Sequence, residues 1–262
     1  MKKKISFLLI LCMVSLIAFT SATYAGFSKQ YNPKVEGMHF GVATQENMMI
    51  SKTGTPGSFR DDIPFSELVG TGIKTLRPVA GTVSTNSIEL YQGQYIANSS
   101  NYIKFELYFA GSNNMDLYLA GSTSGTVVDS IRIDNPTYAP ADVTKIIDSV
   151  RVGFLAYETI EKPTPDGIKL EYKAKQTNIY SVNQKTDESY LGGLKYETFN
   201  NLGHTSGAQN DVILMSTEAN KIYKMDIFVW VESKDVNCIQ DVINVNLNIN
   251  LRFLAVKNES GD

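Results

Sequence analysis

The side chains able to do polar chemistry are few and scattered. His39 and His204 are the only histidines, and they lie far apart in the sequence. No His-Glu-x-x-His and no Cys-x-x-Cys occurs, so a zinc site would have to recruit both histidines or Cys238 together with carboxylates that no spacing brings together. There is no Gly-x-Ser-x-Gly elbow and no phosphate-binding loop. Asp61 and Asp62 are adjacent. Neighbours on an extended chain point apart, so the pair reads as a solvated turn and not as an acid–base couple. The densest stretch is Trp230-Val-Glu232-Ser-Lys-Asp235-Val-Asn-Cys238. Two readings stand side by side there. Trp230 fills a core, Glu232 and Asp235 close a strand with a turn, and Cys238 tucks beneath it; or the four residues form a metal or thiol site. The first is expected. No catalytic, cofactor-binding or metal-binding residue is assigned, and the chain is not read as an enzyme.

The elements that would carry such residues are strands. Residues 243–256 alternate strictly, with Ile243, Val245, Leu247, Ile249, Leu251 and Phe253 against Asn244, Asn246, Asn248, Asn250 and Arg252. Period two means one buried and one wet face. A second β-run, 221–232, precedes it and holds the only tryptophan. Further strands are expected at 35–43, 48–51, 101–110, 115–120, 149–158 and 212–216, with one or two more over 168–181. Asn113-Asn114 reads as a turn, and 87–95 as a strand or loop edge. Turn chemistry is expected at 52–57, a connector at 134–140, and a tight exposed loop at 161–167, which holds two prolines. A long surface loop is expected over 183–207. Helix is limited to one turn at 65–69 and a short helix at 141–147 capped by Asp142. Strand-like runs at short spacing, broken by Gly, Pro and Asn, give the expected class: an all-β, jelly-roll-like antiparallel sandwich with short helical insertions.

Lys2, Lys3 and Lys4, an apolar run at 5–19 and a small-residue region ending at Ala25 read as a cleaved signal peptide, 1–25. The mature product is read as one secreted domain, 26–262, with no membrane segment after cleavage. Of 24 basic residues, 21 remain after loss of the three lysines, against 27 acidic ones, a net charge of −6. An acidic surface without basic runs argues against nucleic acid or anionic lipid as a partner. Cys12 leaves with the signal, so Cys238 has no partner within its own chain. It is either a buried thiol or a link between chains.

The Trp230-x-Glu232-x-x-Asp235-x-x-Cys238 pattern, followed by an alternating strand and Phe253, resembles one found near the C-terminus of exported Gram-positive proteins whose signal peptide is cut by the SipW peptidase. The stretches Ala25-Gly26-Phe27, Val35-Glu-Gly-Met-His-Phe, Met49-Ile50-Ser51 and Ser149-Val-Arg-Val-Gly-Phe154 resemble that group too. Its wider relatives are the TasA/camelysin biofilm-matrix proteins. The likeness is closer to the pilin-like branch represented by BsaA, since the loops and detailed motif depart from TasA. The resemblance implies a secreted jelly-roll subunit that assembles with itself into extracellular fibres of a biofilm matrix. It also implies other matrix components or an anchoring protein as partners. The alternatives are a surface adhesin, binding through loops such as 183–207, and a camelysin-like metalloprotease.

Residues 26–45 are the expected assembly device, with Phe27, Val35, Met38, Phe40 and Val42 spaced to fill a groove in the next subunit as a donor strand. A contact of that kind that does not close on itself yields a filament. A covalent lock would need a buried lysine beside a carboxyl group. Lys104 and Lys224 lie within apolar strands, although alternation sends both toward solvent.

Overall fold

The computed structural model describes residues 34–44, 48–64, 67–68, 74–119, 131–133, 140–165, 167–182, 196–198, 212–238 and 246–258. Its strands, in chain order, are β1 (Lys34–Thr44), β2 (Met49–Ser51), β3 (Asp62–Pro64), β4 (Lys74–Thr75), β5 (Pro78–Ser84), β6 (Ser87–Gln92), β7 (Tyr95–Ile96) and β8 (Ile103–Ala110). They continue with β9 (Met115–Leu119), β10 (Ile131–Ile133), β11 (Val150–Thr164), β12 (Gly167–Ser181), β13 (Tyr196–Thr198), β14 (Met215–Thr217), β15 (Ile222–Glu232) and β16 (Asn246–Lys257). One helix, α1 (Pro140–Ser149), precedes β11.

The fold is an all-β sandwich. The first sheet runs β14-β9-β16-β1-β3, with β10 also on β16 and β4 also on β1. In the second, β13, β12, β11 and β15 lie in order, and β8 then pairs with β15 over Ile222–Val229 and carries β2. The last two residues of β15 pair instead with β5, which leads into β6 and β7. Most pairings are antiparallel, but β1–β16, β5–β15 and β12–β13 are parallel, so both sheets are mixed.

Alternation explains how the layers meet. Met225, Ile227, Val229 and Val231 of β15 face the space between the sheets, beside Phe105, Leu107, Phe109, Val152 and Phe154. The first sheet answers with Leu117, Leu251, Phe253 and Ala255. Phe253 is met edge-on by Phe109 at 5.3 Å and by Phe154 at 6.1 Å between ring centres. The opposite face of the second sheet is covered in part by β5–β7. There Val79, Val83, Ile88, Leu90 and Ala97 pack on Leu155, Ile179, Phe228 and Trp230. Strand β15 is therefore buried on both faces near its C-terminal end.

Several expectations need correction. The helix starts at Pro140, whose fixed φ suits a first helical position, so Asp142 lies inside the first turn and is not the cap. Residues 161–167 do not form a loop. Strands β11 and β12 pair to the tip, Thr164 opposite Gly167, and Gly167 takes the turn with φ 132°. Pro163 fits because it sits on an outer strand position with no third strand beside it among the described residues. Within 183–207, Tyr196–Thr198 is strand β13; the rest lies outside the described residues, as do residues 1–33, 120–130, 134–139 and 239–245. Within 65–69 only Glu67 and Leu68 are described, and they are helical. Short strand β3 has no counterpart among the expected strands.

The two ends of the sandwich differ. At one end β2 begins, β8 ends, β9 and β15 begin, and β16 ends. Met49 is opposite Ala110, Ala110 opposite Ile222, and Met115 opposite Lys257. The turn from β8 to β9 is tied there by Asn220 N–H to Gly111 O at 2.8 Å and Asn258 N–H to Asn114 O at 2.9 Å. At the other end Val231 meets Val150 and Pro78, and Lys34 meets Asn246 and Thr75.

Candidate functional site

Of the expected donor residues, Val35, Met38, Phe40 and Val42 lie on β1, and Phe27 lies outside the described residues. Strand β1 sits inside the first sheet of its own chain. It pairs in parallel with β16 from Lys34 opposite Asn246 to Thr44 opposite Ala255, with one irregularity between Val35 and Gly37. Its other edge is held only in places. Three residues meet β3, His39–Gly41 against Asp62–Pro64, and two meet β4, Lys34 and Val35 against Thr75 and Lys74. Pro64 has no N–H to give that ladder. The N-terminal strand thus fills a slot whose long wall is the C-terminal strand. The chain then crosses to the second sheet by Met49, within five residues of Thr44.

The Trp-Glu-Asp-Cys stretch forms a corner at the far end of β15. The Glu232 carboxylate is fully buried and accepts from Trp230 Nε1 at 3.0 Å, Gly81 N–H at 2.9 Å and Lys234 N–H at 3.1 Å. Burial raises its pKa above the usual carboxylate value, against the lowering effect of those three donors and of Arg151. A Cβ at Gly81 would lie 3.1 Å from Glu232 Oε2 and 3.2 Å from the Trp230 ring, so any larger residue here would have to push this corner apart by a few tenths of an ångström. Asp235 pairs with the fully buried Arg151 and accepts from Asn237 N–H at 2.8 Å. The same guanidinium donates to the Asp148 and Val150 carbonyls, satisfying the end of α1. Cys238 is half-buried against the main core. Burial pushes its thiol up to about 11, helped by Asp235 and Glu232, so at neutral pH it is not a thiolate nucleophile. Two of these contacts join distant segments, Gly81 N–H to Glu232 and Arg151 to Asp235; the others close the end of β15 and the turn after it, or the end of α1.

A second polar group lies on the outer face of the second sheet. Asp226 is fully buried and lies 2.9 Å from Lys104 Nζ, 3.2 Å from Lys224 Nζ and 2.9 Å from the Tyr157 hydroxyl that donates to it. Lys224 also donates to Glu106 at 2.7 Å. Burial opposes the Lys224 charge, yet Glu106 and Asp226 outweigh it and raise the pKa. Tyr157 is raised by burial first and Asp226 second. Alternation places both lysines on this outer face, as expected, but only Lys104 is well exposed; the Lys224 side chain keeps 14% of its surface.

His39 stands on β1 opposite Asn250, and His204 lies outside the described residues. Asp61 and Asp62 are both exposed. Among the described residues no three His, Cys, Asp or Glu side chains gather around a point that could hold a metal, and no helix is long and apolar enough to cross a membrane. An open cleft of about 350 Å3 lies at the Asn258 end, between β14 and the middle of β11 and β12. Its polar groups are mostly used internally: Gln176 donates to Ile213 O at 2.6 Å, and Tyr223 Oη accepts from Glu218 N–H at 3.0 Å.

Sequence reasoning misses Arg151, Gly81 and the carboxylate of Asp226. Arg151 alternates with Val150 and Val152, which marks it for solvent, and nothing local signals that β5–β7 covers that face. No family model, curated protein or solved structure matches the chain.

Proposed function

We propose that this chain is a secreted structural subunit that assembles with copies of itself into pilin-like extracellular fibres of a biofilm matrix, by exchange of β1 between subunits. The observation that carries the reading is the slot along β16. A strand from one terminus fills it, touches the rest of the sheet mainly through the other terminus, and is joined to its body by a short link. An element of that kind passes between identical copies at low cost, since the ladder broken in one copy is rebuilt in the next. Other matrix components or an anchoring protein are the further partners. A covalent lock would draw on Lys104 or Lys224, both of which face Asp226 of their own chain.

The test is microscopy and size-exclusion chromatography of the mature chain, beside a chain that starts at Gln45. The mature chain is expected to give fibres. The shortened chain is expected to give none, and a synthetic peptide of residues 34–44 is expected to bind it. Fibres from the shortened chain, as abundant as before, would overturn the reading.

A further inference from the structure

We infer that β1 enters the neighbouring subunit antiparallel to its β16, the reverse of its direction within its own chain, so that unlike ends of successive subunits meet. This rests on the reading that β1 is the exchanged strand.

The inference follows from where the link lies. Thr44 stands opposite Ala255, at the end of the sandwich where β2 and β15 begin. Met49 is already part of the second sheet at that same end. Four intervening residues span at most roughly 18 Å at about 3.6 Å per step. The body of a donor must therefore lie within that distance of the inserted Thr44. If the parallel register were kept, the inserted Thr44 would lie at the acceptor's Asn258 end. The acceptor's own β1 departs from that end too. Incoming and outgoing links would share one face, and two bodies would meet like end to like end. Mutual exchange then closes into a two-fold dimer, and a third copy has nowhere to enter.

Reversing the strand removes the conflict. Its Thr44 then lies opposite Leu247, roughly 26 Å along β16 from Ala255 at about 3.3 Å per residue, the register that keeps the Met38, Phe40 and Val42 positions on the Leu251–Phe253 face. The incoming link arrives at the Glu232 end and the outgoing link leaves from the Asn258 end. Each subunit then has one free donor and one free slot at opposite ends, which propagates without closing. Reversal also supplies a gain that like-for-like exchange lacks, because antiparallel pairs are somewhat more stable per residue than parallel ones. Val236, 98% exposed at the Glu232 end, lies on the face that receives the donor body.

The chain carries its own reporter. Within one copy Lys34 is opposite Asn246, and Lys257 is eleven residues further along β16, roughly 36 Å away at 3.3 Å per residue. A short amine-reactive cross-linker cannot bridge them within one copy. In reversed insertion the donor's Lys34 lies beside the acceptor's Lys257. Fibres grown from mixed light- and heavy-isotope chains, cross-linked and digested, are expected to give mixed-isotope Lys34–Lys257 peptides that are absent from the unassembled chain. A Thr44→Cys/Leu247→Cys variant in a Cys238→Ala background is expected to form a reducible ladder between subunits. Lys34→Cys/Asn246→Cys in the same background is expected to close only within unassembled chains. Intersubunit bridges from the Lys34→Cys/Asn246→Cys pair, with no Lys34–Lys257 peptide, would overturn the reversed direction and leave strand exchange standing. Fibres visible by microscopy that give no intersubunit β1–β16 link of either kind would overturn strand exchange itself.

Discussion

Strand β11 spends its two halves in opposite circumstances. From Val150 to Tyr157 it lies between β12 and β15, and Arg151, Val152 and Phe154 are fully enclosed. From Glu158 to Thr164 it has only β12 beside it among the described residues, and nearly every side chain is wet. The inner half is fixed by side chains from distant segments, including Asp235 and Trp230. The outer half is held by its own ladder, by Thr159 Oγ1 donating to Ile222 O at 2.6 Å, and by Lys162 against Glu171 at 2.5 Å. Two-stranded ribbons are marginal in water, so the arm is stable only because the inner half is anchored. The same backbone conformation thus carries very different amounts of stability, decided by what packs against it.

The largest way to break this contrast is at Arg151. Arg151→Ala removes the charge that offsets the buried Asp235 carboxylate and is expected to cost about 3–5 kcal/mol in urea unfolding. An Asp235→Ala partner closes a double-mutant cycle, and a near-zero coupling would show that the pair adds nothing to the corner. Next comes Glu232→Gln, expected to cost about 1–3 kcal/mol because an amide N–H₂ would face one of three N–H donors. The carboxyl pKa is raised in the fold, so its contribution is full below the unfolded value near 4.5 and falls as pH rises through the folded value. Urea midpoints measured from pH 4 to 7 should decline less steeply in the glutamine variant. Tyr157→Phe, at the junction of the halves, removes the hydroxyl that meets Asp226 and is expected to cost about 1 kcal/mol. Ile168→Ser on the arm, where the side chain is 67% exposed, should move stability by no more than about 0.5 kcal/mol. A larger loss there would mean that the arm is buried by something in solution.

The same contrast explains what can be read in advance. The buried alternation of Ile103–Ala110 and of Leu251, Phe253 and Ala255 is visible in sequence because one face of each meets the main core, whereas β15 shows as a continuous apolar run buried on both faces. The arm escapes such a reading because neither face is buried, so no hydrophobic period marks it and its prolines dominate. Alternation puts Lys104 and Lys224 on the correct face, yet it does not single out Asp226 between them, since burial of a charge depends on partners from other strands. The Trp230–Cys238 stretch stands out, but its chief partners, Gly81 and Arg151, are distant in sequence. For β1, alternation shows a strand; only the ladder with β16 gives its direction.

Trp230 is the sole indole of the chain, wholly enclosed and bonded to Glu232. Emission excited where only the indole absorbs therefore listens to one corner of the molecule and is deaf to the slot along β16. A subunit could surrender its first strand to a neighbour without a change of colour, while the loosening of Glu232 alone would register as a full spectroscopic event.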